Sequence, residues 1–142
     1  MKKQLLFVCL VTVTLFSSCD KNNDSNSITV TAVSNTVTAG NWRITYYWDT
    51  DHEETSNFSG YTFTFAGGNV LTAVNGGTTV TGTWQTGNDN STVKLIISFV
   101  SPANFSEISD DWHVIERTDT KIRLQDVSGG GGGTDYLTFQ KN

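Results

Sequence analysis

Apolar and polar side chains alternate from Gly40 to the end of the chain, and this alternation constrains the fold more than any other feature. Side chains on a β-strand point to opposite faces in turn, so a period of two indicates a strand with one buried face. The clearest case is Asn41–Trp48, in which every second residue is large and apolar: Trp42, Ile44, Tyr46 and Trp48. The pattern predicts an all-β domain in which these four side chains share one inward face.

Turn residues divide the alternating region into about eight short strands. Asn75-Gly76-Gly77 is typical of a tight hairpin turn, and Gly87-Asn88-Asp89-Asn90 marks another turn. The segment 102–111 breaks the alternation and predicts a short helical turn. Because short turns join most strands, we predict an eight-stranded up-and-down antiparallel meander that closes into a small β-barrel, which removes exposed strand edges. A β-sandwich is the alternative.

The first 18 residues predict a signal peptide rather than a part of the fold. A basic start, Met1-Lys2-Lys3, precedes an apolar run from Leu5 to Phe16 that is too short to span a bilayer. The run ends in Leu15-Phe16-Ser17-Ser18-Cys19, which resembles the lipobox of bacterial lipoproteins. That resemblance implies cleavage before Cys19 and lipidation of Cys19. An ordinary cleaved signal with an incidental cysteine is the alternative.

The charge of the mature chain excludes one class of partner. Removal of residues 1–18 leaves seven basic and 14 acidic side chains, a net charge of −7. Such a surface repels phosphate backbones, so we expect no nucleic-acid partner. Membrane attachment would come from acyl chains on Cys19. With Cys19 lipidated, no thiol remains for a disulfide or a catalytic cysteine.

The segment 19–39 links the predicted anchor to the barrel. Asp20–Ser27 is polar and predicts a flexible tether, and Ile28–Thr38 alternates valine with threonine and predicts a lead-in or edge strand. The acidic residues after Cys19 resemble signals that sort lipoproteins to the outer membrane or the cell surface. We therefore expect an outer-membrane location, with the membrane face left open.

The predicted barrel domain, residues 40–142, resembles the lipocalin family. Gly40-Asn41-Trp42 opens the first strong strand and is similar to the Gly-x-Trp motif of that family. The resemblance covers Gly40 to Lys141 and implies that Trp42 plugs the closed end of the barrel. It also implies that Arg123, on the penultimate strand, packs over Trp42. The domain is shorter than typical lipocalins.

Ionisable residues offer little support for an enzyme. Asp49-Thr50-Asp51-His52-Glu53-Glu54 resembles a calcium-binding loop only in composition, so a solvated acidic loop is the favoured interpretation. His52 and His113 are the only histidines, too few for a typical zinc site. Adjacent carboxylates such as Asp110 and Asp111 point to opposite faces of a strand, which does not suit paired acid–base work. We expect no catalytic residues, no metal and no cofactor.

The aromatic residues support two hypotheses of function. In the first, a lipid-anchored barrel binds a small apolar molecule without catalysis. In the alternative, the barrel is filled by side chains and contacts another envelope protein or a glycan through loops such as Asp49–Ser59 and Gly129–Thr134. The residues predicted to line a ligand pocket in the first hypothesis are Tyr46, Trp48, Phe63, Trp84 and Trp112.

Overall fold

The computed structural model describes residues 26–127 and 132–142. The predicted signal peptide, Cys19, the tether up to residue 25 and most of the glycine loop lie outside the described residues. In chain order the elements are α1 (Val30–Thr38), β1 (Asn41–Asp49), β2 (His52–Glu53), a 3-10 helix (Thr55–Phe58), β3 (Thr62–Ala66), β4 (Val70–Asn75), β5 (Thr78–Asp89), β6 (Thr92–Ser98), α2 (Ala103–Glu107), β7 (Asp111–Arg117), β8 (Lys121–Val127) and β9 (Thr134–Lys141).

Eight of the strands form a closed antiparallel barrel. Strands β3 to β9 pair in sequential order, β1 pairs with β3, and β1 also pairs with β9 to close the sheet. The ninth strand, β2, is a two-residue strand that pairs only with the end of β1. The predicted meander barrel is therefore confirmed, and the alternative of a β-sandwich is wrong.

The predicted lead-in strand is a helix. Thr29 caps α1, because its hydroxyl accepts a hydrogen bond of 3.1 Å from the backbone N–H of Ala32. Val33, Thr36 and Val37 are the buried residues of α1, and their spacing places them on one side of a helix. The alternation of valine and threonine suggested a strand, but the apolar end of the barrel stabilises a helix with one buried side. Neither α1 nor α2 is long and apolar enough to span a bilayer.

A β-bulge in β1 changes which aromatic residues face inward. The register between β1 and β9 shifts between Ile44 and Tyr46. Ile44 is buried, but the next inward residue is Tyr47, which is 1% exposed, whereas Tyr46 is 38% exposed. A bulge inserts one extra residue and so reverses the alternation beyond it. The prediction that Tyr46 and Trp48 share the inward face of Trp42 is therefore wrong.

Candidate functional site

Aromatic rings in contact with one another fill much of the barrel interior. Successive ring centroids lie 5.4–6.0 Å apart, mostly with edge-to-face geometry. Such contacts add to the stabilisation that burial of each ring provides. The series therefore forms one packed core along the barrel. Its members, in order of contact, are Tyr47, Phe58, Phe105, Phe63, Phe139, Phe65 and Trp84.

The helix α2 and the 3-10 helix close the barrel at the end where β1 stops. Phe105 of α2 is fully buried, and its ring lies 5.4 Å from that of Phe58. The hydroxyl of Tyr47 donates a 3.0 Å hydrogen bond to the carbonyl of Glu107. Burial, with nearby carboxylates in support, raises the pKa of Tyr47, so this hydroxyl stays protonated and keeps donating.

The helix α1 closes the end where β1 begins. Trp42 is fully buried there, and its indole N–H donates a 2.8 Å hydrogen bond to the carbonyl of Val37 near the end of α1. Lys141 adds a cation–π contact, with its ammonium 5.6 Å from the Trp42 ring centroid. The role of a barrel plug, which the lipocalin resemblance implies for Trp42, stays a prediction.

The structure does not bring Arg123 to Trp42. The Arg123 side chain faces outward from β8, is 47% exposed and pairs with Glu116 at 3.1 Å. The buried arginine is Arg117 at the end of β7, which donates to the hydroxyl of Thr36 at 2.8 Å and to the carbonyl of Ser27 at 2.7 Å. The sequence does not indicate that Arg117 contacts α1, because Arg117 lies at the end of a predicted strand, beside a turn.

The five residues predicted to line a pocket separate into two groups. Phe63, Trp84 and Trp112 lie in the packed interior, where the indole N–H groups of Trp84 and Trp112 donate to backbone carbonyls at 2.9 and 3.0 Å. Tyr46 and Trp48 lie on the outer wall. The structure therefore does not gather the five side chains around one cavity.

Three aromatic residues share the outer wall formed by β1 and β9. Trp48 pairs directly with Tyr136, and Tyr46 lies two residues before Trp48 on the same face. All three are partly exposed. We call Tyr46, Trp48 and Tyr136 the outer aromatic strip. Tyr136 was missed by sequence reasoning, although its alternation with the inward Leu137 and Phe139 places it outside.

Hydrogen bonds hold one end of the outer aromatic strip. The indole N–H of Trp48 donates to the carbonyl of Thr50 at 3.2 Å. The backbone N–H of Thr50 donates in turn to the Asp135 carboxylate at 2.7 Å, beside Tyr136. A side chain at Gly133 would lie 2.6 Å from the Thr50 side chain, so the two chain segments pack closely. These contacts restrict the position of the Trp48 ring.

The acidic loop after β1 brings a histidine between carboxylates. His52 contacts Asp51 at 2.6 Å through Nδ1 and Glu54 at 3.0 Å through Nε2. These hydrogen bonds raise the pKa of His52. Partial desolvation, and then the facing carboxylate of Glu54, raise the pKa of Glu107 on α2. When it is protonated, the ring of His52 offsets part of the negative charge at this end of the barrel.

Within residues 26–127 and 132–142, two groups of side chains have the ligand atoms that a divalent cation takes. One comprises Asp49, His52 and Glu54, and the other comprises Asp110, Asp111 and Asp126. In each group the ligand atoms lie within 4.8 Å of one another. In the second group Asp111 already pairs with Lys94, which holds the pKa of the Asp111 carboxyl below its usual range. The prediction that the protein has no metal site stays a prediction.

A shallow groove of about 310 Å³ lies beside the β3–β4 turn. Its volume falls at the lower end of the range for ligand pockets. Thr83, Gln85 and Ser98, which line it, are exposed, so the groove lies on the outer wall. Its other lining residues are Asn69, Trp84 and Ile96.

Comparison with known proteins supports the fold. No family model and no curated protein matches the chain. Among solved structures, the chain is similar to the crystal structure of a DUF4847 family protein from Bacteroides vulgatus ATCC 8482, with a TM-score of 0.51 and 17% sequence identity. The similarity covers 78% of this chain and 97% of that protein. This chain is thus a small antiparallel β-barrel that structurally resembles a DUF4847 family protein.

Proposed function

We propose that the protein is a lipid-anchored, non-catalytic envelope protein whose filled barrel is a rigid support for contacts made by its outer surface. The observation that carries the proposal is the continuous series of aromatic rings from Tyr47 to Trp84 in the interior. Side chains that contact one another in this way occupy the space that an apolar ligand would need. The partner would be another envelope protein or a glycan.

The polar atoms of the interior support the same proposal. The indole N–H groups of Trp42, Trp84 and Trp112 all donate to backbone carbonyls. Within the described part of the chain, no buried side-chain nitrogen or oxygen lacks a hydrogen-bond partner. A site that recognises a ligand usually presents a few polar groups to it. The inner tryptophans are therefore better explained as structural residues than as ligand contacts.

The proposed anchor would fix which end of the barrel lies near the membrane. Asn26, the first described residue, precedes α1 at the end of the barrel where β1 begins. Six residues lie between Cys19 and Asn26, and the seven steps from one to the other reach at most about 25 Å. The α1 end would then lie near the bilayer. The acidic loop at the other end, and the outer wall, would be accessible to partners.

Native mass spectrometry tests the filled interior. A soluble form, residues 20–142, would be exported to a bacterial periplasm, purified, and measured alone and after addition of fatty acids. We expect the mass of the chain without a stoichiometric adduct in every sample. A one-to-one adduct that also quenches the fluorescence of the inner tryptophans would instead support the carrier hypothesis and contradict our proposal.

The lipid anchor has its own test. Cells that express the full chain would be grown with labelled palmitate, in parallel with a Cys19→Ala variant. We expect label on the unchanged chain and none on the variant, because Cys19 is the proposed acceptor. Label retained by the variant would contradict the anchor and leave the barrel proposal unaffected.

A further inference from the structure

We propose that the outer aromatic strip is a binding site for neutral glycans, an inference that rests on the proposed role of the outer surface and names its ligand. One face of a pyranose ring carries mainly C–H groups, and its rim carries hydroxyls. Tyrosine and tryptophan match this chemistry, because each combines a flat apolar ring with a polar tip. Tyr46, Trp48 and Tyr136 offer three such rings on adjacent positions of two paired strands.

The bulge in β1 is the first observation that carries this inference. If β1 kept a regular alternation through residues 44–46, with no bulge, Tyr46 and Trp48 would continue the inward face of Trp42. The bulge instead places both aromatic side chains outside, and Tyr46 is 38% exposed. Bulges often redirect a side chain at a functional position. Packing of the core does not explain why two large aromatic rings should face solvent.

The restraint on the Trp48 ring is the second observation. Trp48 is tied to Thr50, and Thr50 is tied to Asp135 by its backbone N–H and its hydroxyl, at 2.7 and 3.2 Å. A ring that is held in place before binding loses little conformational freedom when a ligand stacks on it. Exposed aromatic rings with few rotatable bonds have the same advantage in other binding surfaces.

The charge around the strip favours a neutral ligand. On the neighbouring strands, Glu116 pairs with Lys121 at 2.6 Å and with Arg123 at 3.1 Å, so its carboxylate offsets one of the two positive charges. The net charge of the whole chain is −5, which disfavours an acidic ligand. Thr138 lies opposite Tyr46, and Gln125 lies opposite Tyr136. The side chains of Thr138 and Gln125 are partly exposed, so a hydroxyl and an amide are available at the edge of the strip. Aromatic faces flanked by uncharged hydrogen-bonding groups are complementary to sugar hydroxyls rather than to phosphate or carboxylate.

Affinity electrophoresis tests the inference on the full chain. The protein would be purified in a detergent without a sugar headgroup and run in native gels that contain dextran, yeast mannan or hydroxyethyl cellulose. A gel with polygalacturonate, a charged polysaccharide, would be the comparison. The variants are Tyr46→Ala, Trp48→Ala and Tyr136→Ala. The matched control is Val74→Ala, since Val74 is an outer-wall residue of β4 with a similar exposure of 40%.

We expect at least one neutral polysaccharide to retard the unchanged chain and the Val74→Ala control. Each alanine variant of the strip should bind roughly tenfold more weakly, as is typical when a central aromatic contact is removed. Tyr46→Phe keeps a ring and should keep most of the retardation. Circular dichroism and the urea midpoint of each variant would separate lost binding from lost folding.

Three results would overturn the inference. The first is mobility of the unchanged chain that no neutral polysaccharide alters. The second is retardation that the strip variants leave intact. The third is light scattering that shows a dimer which Trp48→Ala dissociates, since a second copy of the chain would then cover the strip. None of these results would show an apolar ligand inside the barrel. The proposed function is therefore tested separately, by mass spectrometry.

Discussion

Replacement of Phe105 by alanine should destabilise the barrel more than any other single change in α2. Phe105 is fully buried, and its ring lies 5.0 Å from those of Tyr61 and Phe99 and 5.4 Å from that of Phe58. Deletion of a buried phenyl group costs about 3–5 kcal/mol, because burial is lost and a cavity is left. We therefore expect Phe105→Ala to lower the free energy of unfolding by about 3–5 kcal/mol, which corresponds to a fall in Tm of roughly 12–20 °C.

Urea unfolding followed by circular dichroism measures this free energy, provided that the slope against urea stays the same in both proteins. The control is Val100→Ala, because Val100 lies close in sequence but is 93% exposed. The control should change the free energy of unfolding by no more than about 0.5 kcal/mol. Phe105→Leu, with an expected cost on the order of 1 kcal/mol, covers the case in which the alanine variant does not fold.

The same substitution should also create a ligand site that the unchanged protein lacks. An apolar cavity made by truncation of a core side chain can stay dry and bind a small aromatic molecule. We therefore expect benzene to raise the Tm of Phe105→Ala but not that of the unchanged chain. A cost below about 1 kcal/mol, or equal stabilisation of both proteins by benzene, would refute the reasoning that side chains fill this end of the barrel.

Three further predictions concern the α1 end, the acidic loop and one strand. Trp42→Phe should lower the free energy of unfolding by about 1–3 kcal/mol, because it leaves the Val37 carbonyl unpaired. Amide hydrogen exchange in α1 should also become faster, and an unchanged exchange rate would contradict the prediction. The folded pKa of His52 is raised above its ordinary value of 6.5, so its protonated form stabilises the fold at low pH, and this contribution is lost as the pH rises through the raised pKa. NMR titration should give a pKa for His52 that falls when the adjacent carboxylates are replaced by amides, and a value insensitive to them would refute the assignment. Gly82→Ala should destabilise the barrel by about 1–3 kcal/mol, because the new Cβ would lie 2.4 Å from the backbone oxygen of Ser98 on the neighbouring strand. Gly77→Ala is the control in the same urea titration, because a Cβ at Gly77 meets no neighbour within 4 Å.

The site was only partly predictable, because sequence periodicity reports which residues alternate but not where the alternation is interrupted. The residues 44–46 carry no glycine or proline that would mark a bulge, so Tyr46 and Trp48 were predicted to face inward. Arg117 and Arg123 are equally basic in the sequence. The pleat and the register of β7 and β8 decide that Arg117 is buried and Arg123 exposed.

The amino-acid sequence by itself determined the strands, most of the turns and their order, because alternation and turn residues act over a few neighbouring positions. The Asn75-Gly76-Gly77 turn is an example, since Gly76 has the positive φ that glycine accepts most easily. The tertiary structure alone decided the helix α1 and the orientation of the β1 aromatic residues. The valines of α1 pack on a barrel end that exists only once the sheet has closed. The outward orientation of the Tyr46 side chain depends in the same way on the register with β9, a strand about 90 residues further along the chain.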